Sequence, residues 1–291
     1  GGRVGVAAPA AAGGIRIAVV GPNANRSLTL ASNYAGCKDK AGGPLIPSCT
    51  FVNPLQGIRA AAAASGGEIN ATVAFARGVD IDSPDRSGIA RAVDVARDAD
   101  VVVLVVGLIT CAEIGPMCQE AEARDRSTPV NADGTDNPQS TADLGRDYGI
   151  GLPGGQPALV RAVVNATAGT NTTVVLVVLS GSAVAVTPWA AASSGVSAIL
   201  QMFYPGVLGG EALADLLVGA AAPGGKLPIM VPTSEAQLPA DYLNQSMQAG
   251  MGRTHRYFQG TPLYKFGHGL SYTTFVFSNV TVSHARLSVA G

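Results

Sequence analysis

The eight residues from Gln119 to Arg126, QEAEARDR, bring together three carboxylates and two guanidinium groups. They follow an apolar run, DVVVLVVGLIT, which is typical of a buried β-strand, in a chain of which only 13% of the residues are charged. Paired carboxylates suit the hydrolysis of glycosides, in which one acid protonates the leaving oxygen and one carboxylate attacks or activates water. The cluster therefore nominates a site for acid–base chemistry.

Residue spacing leaves two interpretations of this cluster open. Glu120 and Glu122 are two positions apart, so in an extended backbone both face the same side, and spacing does not choose between them. A solvated network of salt bridges is the common role of Glu, Asp and Arg side chains in a surface loop. The residues alone therefore do not decide between catalysis and a charged surface.

Apolar, β-branched runs alternate along the chain with segments of helical pattern. The predicted strands are IRIAVVG (15–21), TVAFARG (72–78), DVVVLVVG (100–107), TVVLVVLSG (173–181), SAILQMFYPG (197–206) and KLPIMVP (226–232). The predicted helices are NPLQGIRAAAAA, SGIARAVDVARDA with Ser87 as its N-cap, LPGGQPALVRAVVNA and GGEALADLLVGA. Uniformly apolar strands alternating with helices predict an α/β fold, in which a mainly parallel sheet is sandwiched between helices.

The carboxyl ends of the predicted strands are where a ligand is expected to bind. The charged cluster lies beyond such an end, and so do GPNAN after the first strand, SGS (180–182) after the fourth and FYPG (203–206) after the fifth. VVGPNANRS departs from the GxGxxG fingerprint, no GxxxxGK[ST] loop occurs, and LSGSAV departs from the GxSxG elbow of serine hydrolases. Nucleotide binding and serine hydrolysis therefore lack support.

The charge distribution restricts the possible partners. Lys and Arg number 19 against 20 Asp and Glu, and no basic patch stands out, so neither nucleic acid nor an anionic membrane is expected. No charged residue occurs between Arg161 and Glu211, but Gly, Ser and Pro divide this stretch into runs shorter than the roughly 20 residues of a spanning helix. The histidines His255, His268 and His284 are scattered and no CxxC pair exists, so we expect no metal and no cofactor.

Cysteines and sequons indicate the compartment. The cysteines form two close pairs, Cys37/Cys49 and Cys111/Cys118, and N-x-S/T sequons occur at Asn25, Asn70, Asn165, Asn171, Asn244 and Asn279. Together they favour a secreted protein with two disulfides, with buried thiols in a cytosolic protein as the alternative. GGRVGVAAPAAAGG (1–14) is interpreted as a flexible lead-in, and we expect a fragment whose targeting segment lies upstream.

Several motifs occur in the order found in glycoside hydrolase family 3: GPNAN, SNYAGC, NPLQGI, ADVVVLVVGL, EAEARDR, LPGGQPALV, VVLVVLSGS, YPGVLGGEALADLLVGAAAPGGKLP, RTHRYF and FGHGLSYTTF. The chain resembles this family over roughly residues 14–277, and most of all its β-xylosidase branch, which includes the plant β-xylosidase/α-arabinofuranosidase type. The combination of PGGKLP with FGxGLSYTxF is the most specific part of the resemblance, whereas GPNAN alone is weak.

The resemblance implies a domain organisation and a reaction. Family members have an N-terminal barrel with an Asp nucleophile, an α/β sandwich domain with the Glu acid/base, and a fibronectin type III-like domain. Residues 15–275 would be the sandwich domain, 276–291 the start of the third domain, and the barrel an upstream partner. The implied function is retaining hydrolysis of xylo-oligosaccharides or other β-xylosides, with a β-glucosidase or a non-catalytic carbohydrate-binding module as alternatives.

The resemblance also assigns roles to individual residues. In the EAExxDR pattern the acid/base role falls on Glu122, with Glu120 as the second candidate, and Asp125 and Arg126 orient the loop and contact substrate. Tyr204 is a candidate for lining the sugar site, with packing in the core as the alternative. This chain departs from the family by the insertion CAEIGPMC and by the long polar segment 127–150, which predicts a surface loop. Ser180 and Ser182 are expected to shape a turn.

Overall fold

A computed structural model describes residues 14–31, 50–64, 71–108, 150–239 and 244–283 of the chain. Within these ranges one sheet is formed by β1 Ile15–Val20, β2 Ala71–Ala76, β3 Val101–Gly107, β4 Thr173–Leu179 and β5 Ala198–Gln201. The strand order is β2-β1-β3-β4-β5, and every pairing is parallel. The predicted α/β fold with a mainly parallel sheet is confirmed.

The helices of the described ranges alternate with these strands. They are α1 Leu28–Ala31, α2 Pro54–Ala64, α3 Ile89–Arg97, α4 Gln156–Thr167, α5 Thr187–Ala190, α6 Gly209–Val218 and α7 Thr254–Tyr257. Two short 3₁₀ turns lie at Ala192–Ser194 and Glu235–Gln237. The longest four helices, α2, α3, α4 and α6, fall on the segments where the sequence pattern predicts helices.

The sheet is buried on both faces. All seven residues of β3 are buried, and successive side chains point to opposite faces. Val102, Leu104 and Val106 pack with residues of α3 and α4 on one face. Val103 and Val105 pack with residues of α1, α2 and α6 on the other. Two apolar layers therefore enclose the strand, which explains why its sequence is continuously apolar rather than alternating.

The start of α2 is set by the local sequence NPLQ. Asn53 Oδ1 accepts a hydrogen bond from the Gln56 backbone N–H at 2.9 Å, and Gln56 Oε1 accepts one from the Asn53 backbone N–H at 3.0 Å. This reciprocal pair is a capping box, and Pro54 at the first helical position needs no hydrogen bond there. The helix therefore begins where its own side chains satisfy the free backbone donors.

Helices α2 and α6 pack backbone against backbone. A Cβ on Gly57 would overlap the carbonyl group of Gly210, and a Cβ on Gly210 would overlap that of Asn53. Neither glycine has a positive φ, so close approach and not backbone conformation requires the missing side chains. These two glycines set how closely the helices lie on their face of the sheet.

The segment KLPIMVP does not form the predicted sixth strand of the series. Among its residues only Val231 forms a bridge, an isolated antiparallel one to Tyr264 with N–H···O distances of 2.8 and 3.2 Å. Pro228 and Pro232 lack the N–H that a continuous ladder requires, so pairing stops at one residue on each side. The prediction from its apolar composition was wrong.

Ser87 does not cap α3 as predicted. The helix begins at Ile89 after Gly88, without a side-chain cap. The Ser87 hydroxyl instead donates to Asp85 Oδ2 at 3.0 Å, and the Ser87 backbone N–H donates to Asp85 Oδ1 at 2.8 Å. The aspartate two residues earlier thus takes both donors into a local turn.

The last described segment has a different character from the sheet domain. Residues 276–283 contain no hydrogen-bonded strand within the described part of the chain, and the Phe277 side chain is 90% exposed. The start of a third domain at 276 stays a prediction. Across the described ranges, none of the helices combines the length and the apolar character that a membrane span requires.

Candidate functional site

The strand order creates a crevice at the carboxyl edge of the sheet. From β1 the chain goes outward to β2 on one side and then returns past β1 to β3 on the other, so the order reverses between β1 and β3. In open α/β sheets, ligands bind outside the carboxyl ends of the strands at such a switch point. The residues after β1 and after β3 therefore form the candidate site.

Two glycines end the strands that flank the crevice. Gly21 follows β1 with φ of 126°, and Gly107 ends β3 with φ of 134°. A Cβ at Gly21 would overlap the Val105 carbonyl oxygen, and one at Gly107 would overlap the Leu179 carbonyl oxygen. Both conformation and space thus require glycine where the chain leaves the sheet.

Gln156, the first residue of α4, binds the end of β3. Its Oε1 accepts a hydrogen bond from the Gly107 N–H at 2.8 Å, and its Nε2 donates to the Gly107 carbonyl at 2.8 Å and to the Ile81 carbonyl at 2.7 Å. The side chain is fully buried. It therefore holds three segments together beneath the crevice.

Asn23, after β1, binds the next residue of the same exit. Its Nδ2 donates to the Leu108 carbonyl at 2.8 Å, and its backbone N–H donates to the Val105 carbonyl at 3.3 Å. The residue is fully buried, and among the described residues its Oδ1 has no hydrogen-bond partner. Asn23 thus ties β1 to the outgoing end of β3.

Ser180, Gln201 and Ser182 form a second polar group, beyond β4 and β5. The Ser180 hydroxyl is buried and donates to the Ser182 carbonyl at 2.7 Å, and Gln201 Nε2 donates to Ser180 Oγ at 2.9 Å. These bonds close the turn after β4, as the sequence analysis expects of the two serines. The second polar group therefore shapes the floor of the crevice on the β4 side.

Tyr204 lies at the same edge but away from the switch point. It follows β5, which is two strands from β3, so roughly 10 Å separate the strand ends. The Tyr204 side chain is half-buried, and Phe203 before it has φ of 54°, a conformation rare outside glycine. The structure places Tyr204 at the β5 side of the crevice, whereas its role toward a ligand stays a prediction.

The remaining predicted site residues lie outside the described ranges. These are the catalytic candidates and their neighbours, Glu120, Glu122, Asp125 and Arg126, and the four cysteines, Cys37, Cys49, Cys111 and Cys118. The charged cluster belongs to the segment 109–149, which joins Leu108 to Ile150. Its attachment at the end of β3 is therefore the structural fact that bears on its function.

A charged cleft of about 400 Å³ lies at the end of the edge strand β2. Its lining includes Arg77, which pairs with Asp80 at 2.8 Å, and also Asp85 and Arg91. The backbone N–H and hydroxyl of Ser87 hold the pKa of Asp85 below its usual range. This cleft lies on the far side of β1 from β3, so it is separate from the switch-point crevice. Across the described ranges, His, Cys, Asp and Glu side chains form no group of three placed to hold a metal ion.

Asn23 and Gln156 did not stand out in the sequence as site residues. Both belong to motifs that the sequence analysis quotes, GPNAN and LPGGQPALV, but there they serve only as marks of resemblance. A usable signal was present, because each is an amide side chain flanked by glycine and proline next to a strongly apolar strand or helix. Which backbone groups they bind depends on contacts across 85 and 49 residues of sequence.

Comparison with known proteins gives a consistent family. The model of the glycosyl hydrolase family 3 C-terminal domain matches residues 9–272. Beta-D-xylosidase 1 of Arabidopsis thaliana is 34% identical over 94% of this chain and 29% of its own length, and a beta-xylosidase of Formosa agariphila is 30% identical over 94% and 32%. The chain therefore spans about a third of the length of these relatives.

Solved structures agree with the observed fold. An exo-β-xylosidase of family 3, in complex with a xylobiose aziridine probe, superposes with a TM-score of 0.64 at 27% identity, over 91% of this chain and 29% of that one. A β-glucosidase from Erythrobacter marinus superposes with a TM-score of 0.57 at 30% identity, over 90% of this chain and 32% of that one.

Proposed function

The chain belongs to glycosyl hydrolase family 3, of which it is the C-terminal domain, and we propose that it supplies the general acid/base of a retaining β-xylosidase. The observation that carries the proposal is the attachment of the QEAEARDR segment at the end of β3. That strand end lies beside the end of β1, at the point where the strand order reverses. A charged segment leaving the sheet there is well situated to reach a ligand in the crevice.

The proposed chemistry divides the work between two carboxylates. Glu122, with Glu120 as the second candidate, donates a proton to the glycosidic oxygen and then takes one from the attacking water. The nucleophile is an Asp of a companion barrel domain, and it forms a covalent glycosyl-enzyme intermediate. Retaining enzymes hold the two carboxyl groups about 5–5.5 Å apart, so the two domains must meet at the crevice. Asp125, Arg126 and Tyr204 are proposed to contact the sugar.

An exposed apolar segment supports the presence of companion domains. Leu270, Phe275 and Phe277 are 79%, 80% and 90% exposed, and Phe266, Tyr272 and Val276 are also exposed in the same short stretch. Contiguous apolar surface of this kind on a protein marks an interface with another partner. We propose that the FGHGLSY stretch packs the sandwich domain against the barrel.

The substrate is proposed to be a β-xyloside, such as a xylo-oligosaccharide cleaved at its non-reducing end. The curated relatives reported above are β-xylosidases, which favours this sugar over glucose. The Erythrobacter marinus β-glucosidase is the observation that keeps a β-glucoside as the second candidate. Hydrolysis rates of the full-length enzyme on matched nitrophenyl β-xyloside and β-glucoside distinguish the two.

The acid/base assignment is tested by Glu122→Gln and Glu120→Gln in the full-length enzyme. A general acid contributes about 10²–10⁴-fold, and it matters most when the leaving group is a poor one. Glu122→Gln is therefore expected to lower kcat/KM by that factor on phenyl β-xyloside and far less on dinitrophenyl β-xyloside. Equal losses on both substrates, or none, contradict the assignment. The same pattern in Glu120→Gln alone moves the role to Glu120.

We also propose that the protein is secreted and carries N-glycans and the disulfides Cys37–Cys49 and Cys111–Cys118. The sequon asparagines Asn171, Asn244 and Asn279 are exposed in the structure, which is what a glycan requires. Peptide masses obtained with and without reduction identify the cysteine pairs. Four alkylated thiols before reduction contradict them.

A further inference from the structure

We propose that Asn23 is a positioning residue for the acid/base of this domain. Through Leu108 it holds the point from which the segment carrying Glu120 and Glu122 leaves the sheet. The inference rests on the proposed function, because it gives Asn23 a role in the reaction of that segment. It adds a residue from another part of the chain, 85 positions away from the carbonyl that it binds.

The Asn23 contact is defined in orientation as well as in distance. The Leu108 carbonyl oxygen can only accept, so the group 2.8 Å from it must be the Asn23 amide nitrogen. Both the asparagine and Leu108 are fully buried, so water does not replace this bond in the folded protein. Asn23 is itself fixed by the hydrogen bond from its backbone N–H to the Val105 carbonyl.

The two residues at the exit have every backbone polar group bonded. The Gly107 N–H and carbonyl bind the amide of Gln156, and the Leu108 N–H donates to the Leu179 carbonyl at 2.7 Å. The Leu108 carbonyl binds Asn23. Three of these four bonds therefore go to side-chain amides from other segments, and Asn23 supplies the last one before the chain leaves the sheet.

The cost of burying this amide indicates that its single bond matters. The Asn23 Oδ1 is buried and has no partner among the described residues. Such an unbonded acceptor costs about 1–3 kcal/mol, so an apolar side chain would fill the same space more favourably. The amide is thus maintained against its own desolvation cost, and the benefit that the structure shows is the bond to Leu108.

Positioning of this kind has a kinetic consequence. Proton transfer to a leaving oxygen requires the acid within hydrogen-bond reach, and a displacement of about 1 Å can cost on the order of 10²-fold in rate. Replacing Asn23 by Asp keeps the shape of the side chain but puts a carboxylate oxygen against the Leu108 carbonyl oxygen. The two acceptors repel, and the exit of the segment shifts.

The test is Asn23→Asp in the full-length enzyme, assayed on aryl β-xylosides whose leaving groups differ in pKa. We expect kcat/KM to fall by about 10–100-fold on the poorest leaving group and by a much smaller factor on the best one. A merely structural role lowers stability and activity without changing this dependence. Asn53→Asp is the matched control, since Asn53 is equally a buried asparagine and a carboxylate still caps α2. Its leaving-group dependence should equal that of the wild type.

Equal loss by Asn23→Asp on all leaving groups overturns the inference, and so does a steepened dependence in the Asn53→Asp control. If Asn23→Asp does not fold, Asn23→Ser, which removes the bond without adding a charge, must show the steepened dependence for the inference to stand. Glu120→Gln and Glu122→Gln assayed beside these variants separate the two claims. Unchanged dependence in both Glu variants overturns the proposed function, whereas a steep Glu variant with a flat Asn23 variant overturns only the role of Asn23.

Discussion

The side-chain amide of Gln156 and the backbone of Gly107 form two reciprocal hydrogen bonds, both 2.8 Å long. The same amide donates to the Ile81 carbonyl, so one buried side chain joins the start of α4, the end of β3 and the segment after β2. Since the polar segment with QEAEARDR leaves from the end of β3, the fold anchors the candidate site through an amide located elsewhere in the sequence.

Gln156→Leu should lower the free energy of unfolding by about 3 kcal/mol or more. The substitution keeps most of the volume but leaves the Gly107 N–H and two carbonyl groups buried without partners, and each such group costs about 1–3 kcal/mol. Urea unfolding of the full-length protein measures the change. Gln248→Leu is the control, since Gln248 is exposed and should change stability by no more than about 0.5 kcal/mol. Equal effects of the two variants would contradict the role of Gln156.

Gly57→Ala should destabilise the protein, although alanine is normally the better residue within a helix. The new Cβ would overlap the Gly210 carbonyl group, and such overpacking costs about 1–3 kcal/mol, more than the helix propensity gained. Thermal unfolding compares this variant with Gly224→Ala, where a Cβ meets no atom within 4 Å. A stabilising Gly57→Ala would show that α2 and α6 do not approach as closely as described.

The ion pair between Arg16 and Asp100 predicts a dependence of stability on pH. The Arg16 guanidinium, and next the Arg16 backbone N–H, hold the pKa of the Asp100 carboxyl below its usual range. A carboxyl whose pKa is lower in the folded state stabilises the protein above its unfolded-state pKa, and this contribution is lost as the pH falls through the folded-state pKa.

Asp100→Asn should therefore lose less stability than the wild type when the pH is lowered from 7 to about 3. The difference should be small, because both side chains are substantially exposed and solvent screens the pair. Unfolding midpoints over this pH range, with Asp215→Asn on α6 as the comparison, measure it. Parallel curves for the wild type and Asp100→Asn would rule out the contribution.

Asn171 should carry an N-glycan when the full-length protein is produced in a eukaryotic secretory host. It lies exposed in the turn between α4 and β4, at the amino edge of the sheet and away from the crevice. Asn171→Gln should lower the mass of the intact protein by one glycan, and the difference should vanish after enzymatic deglycosylation. An unchanged mass would show that the site is not used.

Asn25→Gln is the informative counterpart. Asn25 Oδ1 and the hydroxyl of its sequon residue Ser27 both accept hydrogen bonds from Asn53 Nδ2, at 3.1 and 3.2 Å. A glycan on Asn25 would break this group at the start of α2. We therefore expect Asn25→Gln to leave the mass of the glycoprotein unchanged apart from the substitution itself, and a loss of one glycan would contradict this expectation.

The sequence by itself determined the element types of this domain. Strands such as β3 and β4, buried on both faces, require continuous apolar residues, and the bounded runs of Val and Leu have no other stable location in a water-soluble α/β domain. The capping box of α2 is equally local, since NPLQ contains both partners. Where local pattern was the only guide, it also failed, as in KLPIMVP, whose two prolines limit pairing to a single residue.

Only the tertiary structure decided the strand order and the contacts that follow from it. The order β2-β1-β3-β4-β5 depends on which helix faces cover which side of the sheet, and this is a property of the whole core rather than of any short stretch. That order brings Asn23 within 2.8 Å of the Leu108 carbonyl and so gives a motif residue a specific partner. Long-range hydrogen bonds form only after the apolar layers have set the backbone spacing, which is why no local pattern contains them.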